Sequence, residues 1–98
     1  MTSMDKQNRI SITENIRKII QLDFSKEIRL YIRHKQGTPF IILSNDANLE
    51  LPCFGIIHID PKFRFFLPKE VRTYMEITPQ SKLLIYSFQG ELTIKKLY

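Results

Sequence analysis

Residues 5–17, DKQNRISITENIR, return 55 positions later as DPKFRFFLPKEVR at residues 60–72. A duplication constrains a short chain strongly, because a unit too small to bury its own apolar face is stabilised by packing against a copy of itself. The register continues without a gap: Ile16 matches Val71, Leu22 matches Ile77, Ile28 matches Leu83, Leu30 matches Ile85 and Tyr31 matches Tyr86. The first copy then runs two residues longer, so that Gly37 meets Gly90 and Ile41 meets Ile94. The expected organisation is one domain over 1–98, made of two repeats at 1–45 and 53–98 and joined by the polar linker 46–52. At 98 residues the chain is near the size at which a single core suffices.

Each copy reads as a short strand running into a short helix. Ile10 and Ile12 flank Ser11 with period two, and Ile16, Ile19 and Ile20 then fall on one helical face. The second copy repeats this with a strand over 63–67 and with Val71, Tyr74 and Met75. Pro68 suits a first helical position, where its missing N–H has no intrahelical partner. Its counterpart Thr13 suits an N-cap, or Ser11 and Glu14 form a capping box. Pro79 and the 22–25 segment end the helices, and a hairpin follows in each copy, turning near Gly37 and at Gln89-Gly90. Residues 40–43 are apolar enough to be covered on both sides. A strand over 53–59 opens the second copy, whereas only four residues precede Asp5 in the first.

The formal charge is +5, and its distribution matters more than its size. Residues 5–45 carry eight Lys or Arg against four Asp or Glu, residues 60–98 seven against four, and the connector is acidic. Basic character therefore belongs to each copy, as it would on a doubled polyanion-binding surface or on an ordinary solvated one. Cys53, flanked by Pro52 and Phe54, reads as a packing residue. His34 reads as a turn residue and His58 as an alternating strand residue, and none of the three has zinc-site spacing. No stretch is long and apolar enough to span a bilayer, and the opening MTSMD lacks the pattern of a secretory signal. A cytoplasmic, nucleoid-associated protein is expected. No nucleophile with a base, phosphate-cradling glycine loop or carboxylate pair is present, so neither an enzyme, a cofactor nor a small-molecule substrate is expected.

The order strand, Asp-x-x-x-Arg, Leu-Pro-Lys-Glu-Val-Arg, short helix, Ile-Thr-Pro and hairpin over residues 54–98 closely resembles the AbrB/MazE/SpoVT family of transcription factors. Residues 5–45 resemble the same module more faintly, and the paired Asp5/Arg9 and Asp60/Arg64 motifs are similar to the MraZ branch, although these copies are too short for its additional helices. The resemblance implies a mainly β fold with two short helices, a swapped-hairpin, double-psi-like β-barrel in which two ββαββ-type repeats intertwine as a single-chain pseudo-dimer. It further implies binding to double-stranded DNA; whether pseudo-dimers also self-associate is not set by the sequence. Some members of the family are antitoxins that grip a toxin with a tail, and nothing after Tyr98 is expected to play that part. Carried over by position, the DNA-binding residues are Arg9 and Arg64 on the strands and Arg17 and Arg72 on the helices. Lys6, Lys18, Lys62 and Lys69 are expected to add phosphate contacts.

Two departures qualify that carry-over. Asp5 and Asp60 could instead hold Arg9 and Arg64 in structural ion pairs, leaving Arg17 and Arg72 free. The family's usual glycine before the first arginine is Asn8 in one copy and Phe63 in the other, and because phenylalanine resists left-handed backbone geometry the second loop is expected to differ in shape. The rings of Phe63, Phe65 and Phe66 also admit a different function, a docking patch on a protein-interaction module that no longer binds DNA.

Overall fold

The computed structural model describes residues 2–97, so the outermost residues of the two repeats, positions 1 and 98, lie outside it. Seven strands and two helices follow in order: β1 (Arg9–Ser11), α1 (Glu14–Arg17), β2 (Ile28–Lys35), β3 (Thr38–Ser44), β4 (Cys53–Ile57), β5 (Arg64–Phe66), α2 (Lys69–Met75), β6 (Lys82–Phe88) and β7 (Glu91–Leu97). The protein is a small, mainly β domain. Its strands form two antiparallel sheets, a ribbon β1-β5 and a five-stranded sheet in the order β4-β2-β3-β7-β6. The closed barrel expected from the family resemblance is not formed as one hydrogen-bonded sheet among the described residues, because β4 and β6 stand at open edges.

The strand pairing joins the two copies at every level. In the ribbon, Arg9 faces Phe66, Ile10 faces Phe65 and Ser11 faces Arg64. Because Ile10 and Phe65 are themselves matched residues of the repeat, a pseudo-two-fold axis passes between them. The same axis passes between Ile41 of β3 and Ile94 of β7, again a matched pair placed opposite each other. Backbone bonds repeat the symmetry: Ile12 N–H donates to the Phe63 carbonyl and Leu67 N–H to the Asn8 carbonyl, both at 2.8 Å.

One apolar core lies under both sheets. Matched pairs such as Ile12/Leu67, Ile28/Leu83 and Ile41/Ile94 are all buried within it. Each such side chain contributes on the order of 1.5–3 kcal/mol by leaving water. Without β5 and β7, the first copy would expose the inward faces of β1 and β3 and leave their facing backbone groups unpaired, which is a physical reason for the two copies to fold together.

Local chemistry explains the elements. Both hairpins turn on Gln-Gly, with φ of +53° and +78° at Gln36-Gly37 and +52° and +83° at Gln89-Gly90, the double positive φ that suits the twist of a two-residue hairpin. Helix α1 is only one turn long, and Ile16 within it and Ile19 and Ile20 just after it are β-branched, weak helix formers. Ile19 therefore lies beyond the helix and is 60% exposed, while Ile20 turns inward. Helix α2 buries Val71 and Met75 and ends on Glu76 in the left-handed conformation. Pro68 takes the N-cap position rather than the first helical one, and Thr13 caps α1 without a side-chain hydrogen bond. Cys53 is exposed rather than packed, because it sits at the ragged start of edge strand β4. His34 lies on β2 rather than in a turn, and its Nε2 is 2.6 Å from the Tyr74 hydroxyl.

Candidate nucleic-acid interface

The ribbon β1-β5 has an inner and an outer face. Ile10 and Phe65 point into the core and are 0% and 1% exposed, so alternation turns Arg9, Ser11, Arg64 and Phe66 outward. Since Arg9 stands opposite Phe66, Arg64 is its diagonal neighbour, at a separation of about 7–8 Å. Two short strands from different halves thus bring both motif arginines onto one outer face.

Each arginine is held by its own aspartate in the same way. Asp5 Oδ1 accepts from the N–H groups of Gln7 and Arg9 at 2.9 and 2.8 Å, and Oδ2 accepts from Arg9 Nε at 2.8 Å. Asp60 Oδ1 accepts from the N–H groups of Lys62 and Arg64 at 2.8 and 2.9 Å, and Oδ2 from Arg64 Nε at 2.8 Å. The chain closes each loop with a further backbone bond, Asp5 N–H to the Arg9 carbonyl and Asp60 N–H to the Arg64 carbonyl. The N–H of Arg9 is the main cause that holds the Asp5 carboxyl below its usual range, and the N–H of Arg64 does the same for Asp60. Partial removal from water opposes both shifts, and the guanidinium groups reinforce them.

Asn8 and Phe63 occupy the same left-handed position, with φ of +63° and +57°. The second loop therefore has the shape of the first, contrary to the expectation from sequence. Asp60 fixes the loop from within, and the Phe63 ring is held from outside by an edge-on contact with Phe24 at 5.5 Å and by the Arg17 guanidinium 3.9 Å from its centroid. These contacts offset the cost of about 1–2 kcal/mol for placing a bulky residue there.

Arg17 and Arg72 are not free, as the ion-pair alternative would have left them. Each reaches back over the start of its helix and donates to a carbonyl, Arg17 Nη1 to Ile12 and Arg72 Nη1 to Leu67. Each also lies over an aromatic ring, Arg17 over Phe63 and Arg72 over Phe66 at 5.0 Å. Phe66 is 53% exposed and Phe65 is buried, so the three phenylalanines divide into one core residue and two supports for arginine. The sequence reading missed that supporting role; the one signal for it was the placing of rings on either side of Arg64.

The lysines follow no such symmetry. Lys6 and Lys62 lie in the two loops but at unmatched positions, Lys18 follows α1 with its ammonium 3.6 Å from Glu14, and Lys69 opens α2. Lys6, Lys62 and Lys69 are exposed and make no ion pair among the described residues. Among the described residues no three His, Cys, Asp or Glu side chains gather into a metal-holding group. The arrangement offers forked cations held in fixed directions. The Nη1–Nη2 edge of Arg64 has no partner among the described residues, and on Arg9 only Nη2 is engaged, by Gln7 at 3.2 Å. Comparison with protein-family models, curated proteins and solved structures finds no match for the chain.

Proposed function

We propose that the protein is a DNA-binding regulator of the AbrB-like type, its intertwined halves forming a single-chain counterpart of the family's swapped-hairpin dimer. The observation that carries this reading is the pair of superposable Asp-to-Arg loops that aim two guanidinium groups from one face of a two-stranded ribbon. A two-stranded ribbon fits the major groove, and a guanidinium fork matches the O6 and N7 acceptors of guanine as well as phosphate oxygens. The aspartates take Nε and so fix the direction of each fork while leaving its far edge available. Arg17 and Arg72, backed by rings, together with Lys6, Lys18, Lys62 and Lys69, supply the surrounding positive charge for phosphate contacts.

Duplex binding measured by fluorescence anisotropy tests the reading. If four to six phosphates are neutralised, affinity falls about 10²–10³-fold between 50 and 200 mM salt. Substituting Arg9→Gln together with Arg64→Gln should weaken binding by at least about tenfold and flatten the salt dependence by about two units of slope. A salt-independent interaction, or unchanged affinity in the double variant, would defeat the proposal and favour the protein-docking reading, for which exposed Phe66 is the remaining ring.

A further inference from the structure

The outer face of the β1-β5 ribbon is two-fold in its arginines and not in the residues beside them. Ser11 of β1 and Phe66 of β5 are matched positions of the repeat, and both point outward and are exposed. Backbone bonds at Asn8–Leu67 and Ile12–Phe63 fix the alternation along the ribbon. Arg9 with Phe66, and Ser11 with Arg64, are therefore the non-hydrogen-bonded pairs, in which Cα atoms stand about 4.5 Å apart and side chains are closest. One guanidinium has a phenyl ring as its neighbour across the ribbon, and the other has a hydroxymethyl group.

The helix arginines widen this difference. Arg72, anchored on the Leu67 carbonyl, lies 5.0 Å from the Phe66 centroid and steadies the ring from one side, while the residue remains 53% exposed. Arg17 makes the matching bond to the Ile12 carbonyl but lies over Phe63, a ring of the other half, and so gives no support at position 11. The loops differ as well, since Gln7 Oε1 accepts from Arg9 Nη2 at 3.2 Å and Lys62 stands at the matching place beside Arg64.

We propose that Phe66 is a specificity-determining residue that reads the 5-methyl group of a thymine next to the guanine held by Arg9, with no such preference on the Ser11 side. The inference rests on the DNA-binding reading and deepens it. With the axis of the ribbon along a duplex dyad, Arg9 and Arg64 meet guanines on opposite strands. In the major groove the thymine methyl is the apolar feature that a phenyl ring contacts, whereas a serine hydroxyl bonds donors and acceptors alike. Serine also ends two bonds from its Cα, far short of the arginine forks, while the ring of Phe66 projects toward their level. The target is thus two-fold in its guanines and one-sided in its thymine.

Selection of bound duplexes from a random library, followed by fluorescence anisotropy on the selected site, tests this with the full chain. The wild-type chain should select two dyad-related guanines with a thymine beside only one of them. Replacing that thymine by deoxyuridine, which removes only the methyl group, should weaken binding roughly fourfold, the equivalent of about 0.8 kcal/mol for one buried methyl-sized group. Phe66→Ser should lose the thymine preference and bind thymine and deoxyuridine duplexes equally, with a further uniform loss across sequences because Arg72 loses its ring. Ser11→Phe should install the preference on both sides. Circular dichroism and the thermal midpoint establish that both variants are folded. A wild-type consensus with thymine on both sides or on neither would overturn the inference while leaving the DNA-binding reading intact, as would a one-sided thymine that persists in folded Phe66→Ser. Absence of duplex binding by the wild-type chain would defeat that reading, and this inference with it.

Discussion

The two loops that carry Arg9 and Arg64 contain different residues and have one shape, whereas β2 and β6 contain similar residues and have edges in different states. In the loops the shape is set by an aspartate bonding two N–H groups and a guanidinium, so the left-handed residue between them is free to be asparagine or phenylalanine, provided its side chain finds support. At the edges the outcome depends on a remote segment, the one preceding each Asp-x-x-x-Arg motif, which among the described residues pairs as the five-residue strand β4 in one half and through the Thr2–Leu83 bridge in the other. Local hydrogen bonding preserves symmetry where long-range pairing does not.

The strongest way to break this comparison is to separate the halves. Fragments 1–48 and 49–98 should each lack a cooperative thermal transition by circular dichroism and regain one on mixing, because β1 bonds β5, β2 bonds β4 and β3 bonds β7. A folded, monomeric 1–48 fragment would show that the halves are independent. The loops themselves sharpen it next. Phe63→Ala removes a half-buried ring and should cost about 2–3 kcal/mol in urea unfolding, against about 1 kcal/mol for Asn8→Ala, which mainly trades one left-handed residue for a less tolerant one. Glycine at position 63 should recover about 1 kcal/mol of the alanine loss; equal costs at both positions would show that the ring supports nothing.

The smallest effect comes from protons. Both loop aspartates are held below their ordinary value of 3.8 in the folded state, chiefly by backbone N–H groups. A depressed carboxyl stabilises the fold fully above its unfolded value, and that contribution disappears as pH falls through the lower folded-state value. The thermal midpoint should therefore drop between about pH 5 and pH 2 and drop less in Asp5→Asn with Asp60→Asn. Single Asp→Asn variants that differ from each other would show that the loops are not energetically matched.

How much of this was legible in the sequence follows from the range of each interaction. The hairpins, both short helices and the interval between the repeats could be read from turn glycines, periodicity and a motif seen twice, all of them local signals. The four arginines could be placed on strand or helix in the same way. Their surroundings could not, since Arg17 rests on Phe63, a ring from the other half that reaches it only after β1 meets β5, and Arg72 folds back over Phe66 of the strand before its own helix. Phe63 misled because backbone preference was weighed without the packing that overrides it. The exposure of Cys53 and Ile19 was likewise hidden, since Cys53 is the first residue of edge strand β4 and Ile19 lies just past the end of α1.

The connector between Ser44 and Cys53 makes the meeting of β1 with β5 and of β3 with β7 an intramolecular event. A homodimer built on this plan would come apart on dilution, its melting temperature falling with protomer concentration. Tethering removes that dependence, so a single molecule in a cell holds its own complete core. It also frees each side of the axis to mutate without its counterpart, one codon at a time, which no pair of identical subunits can do.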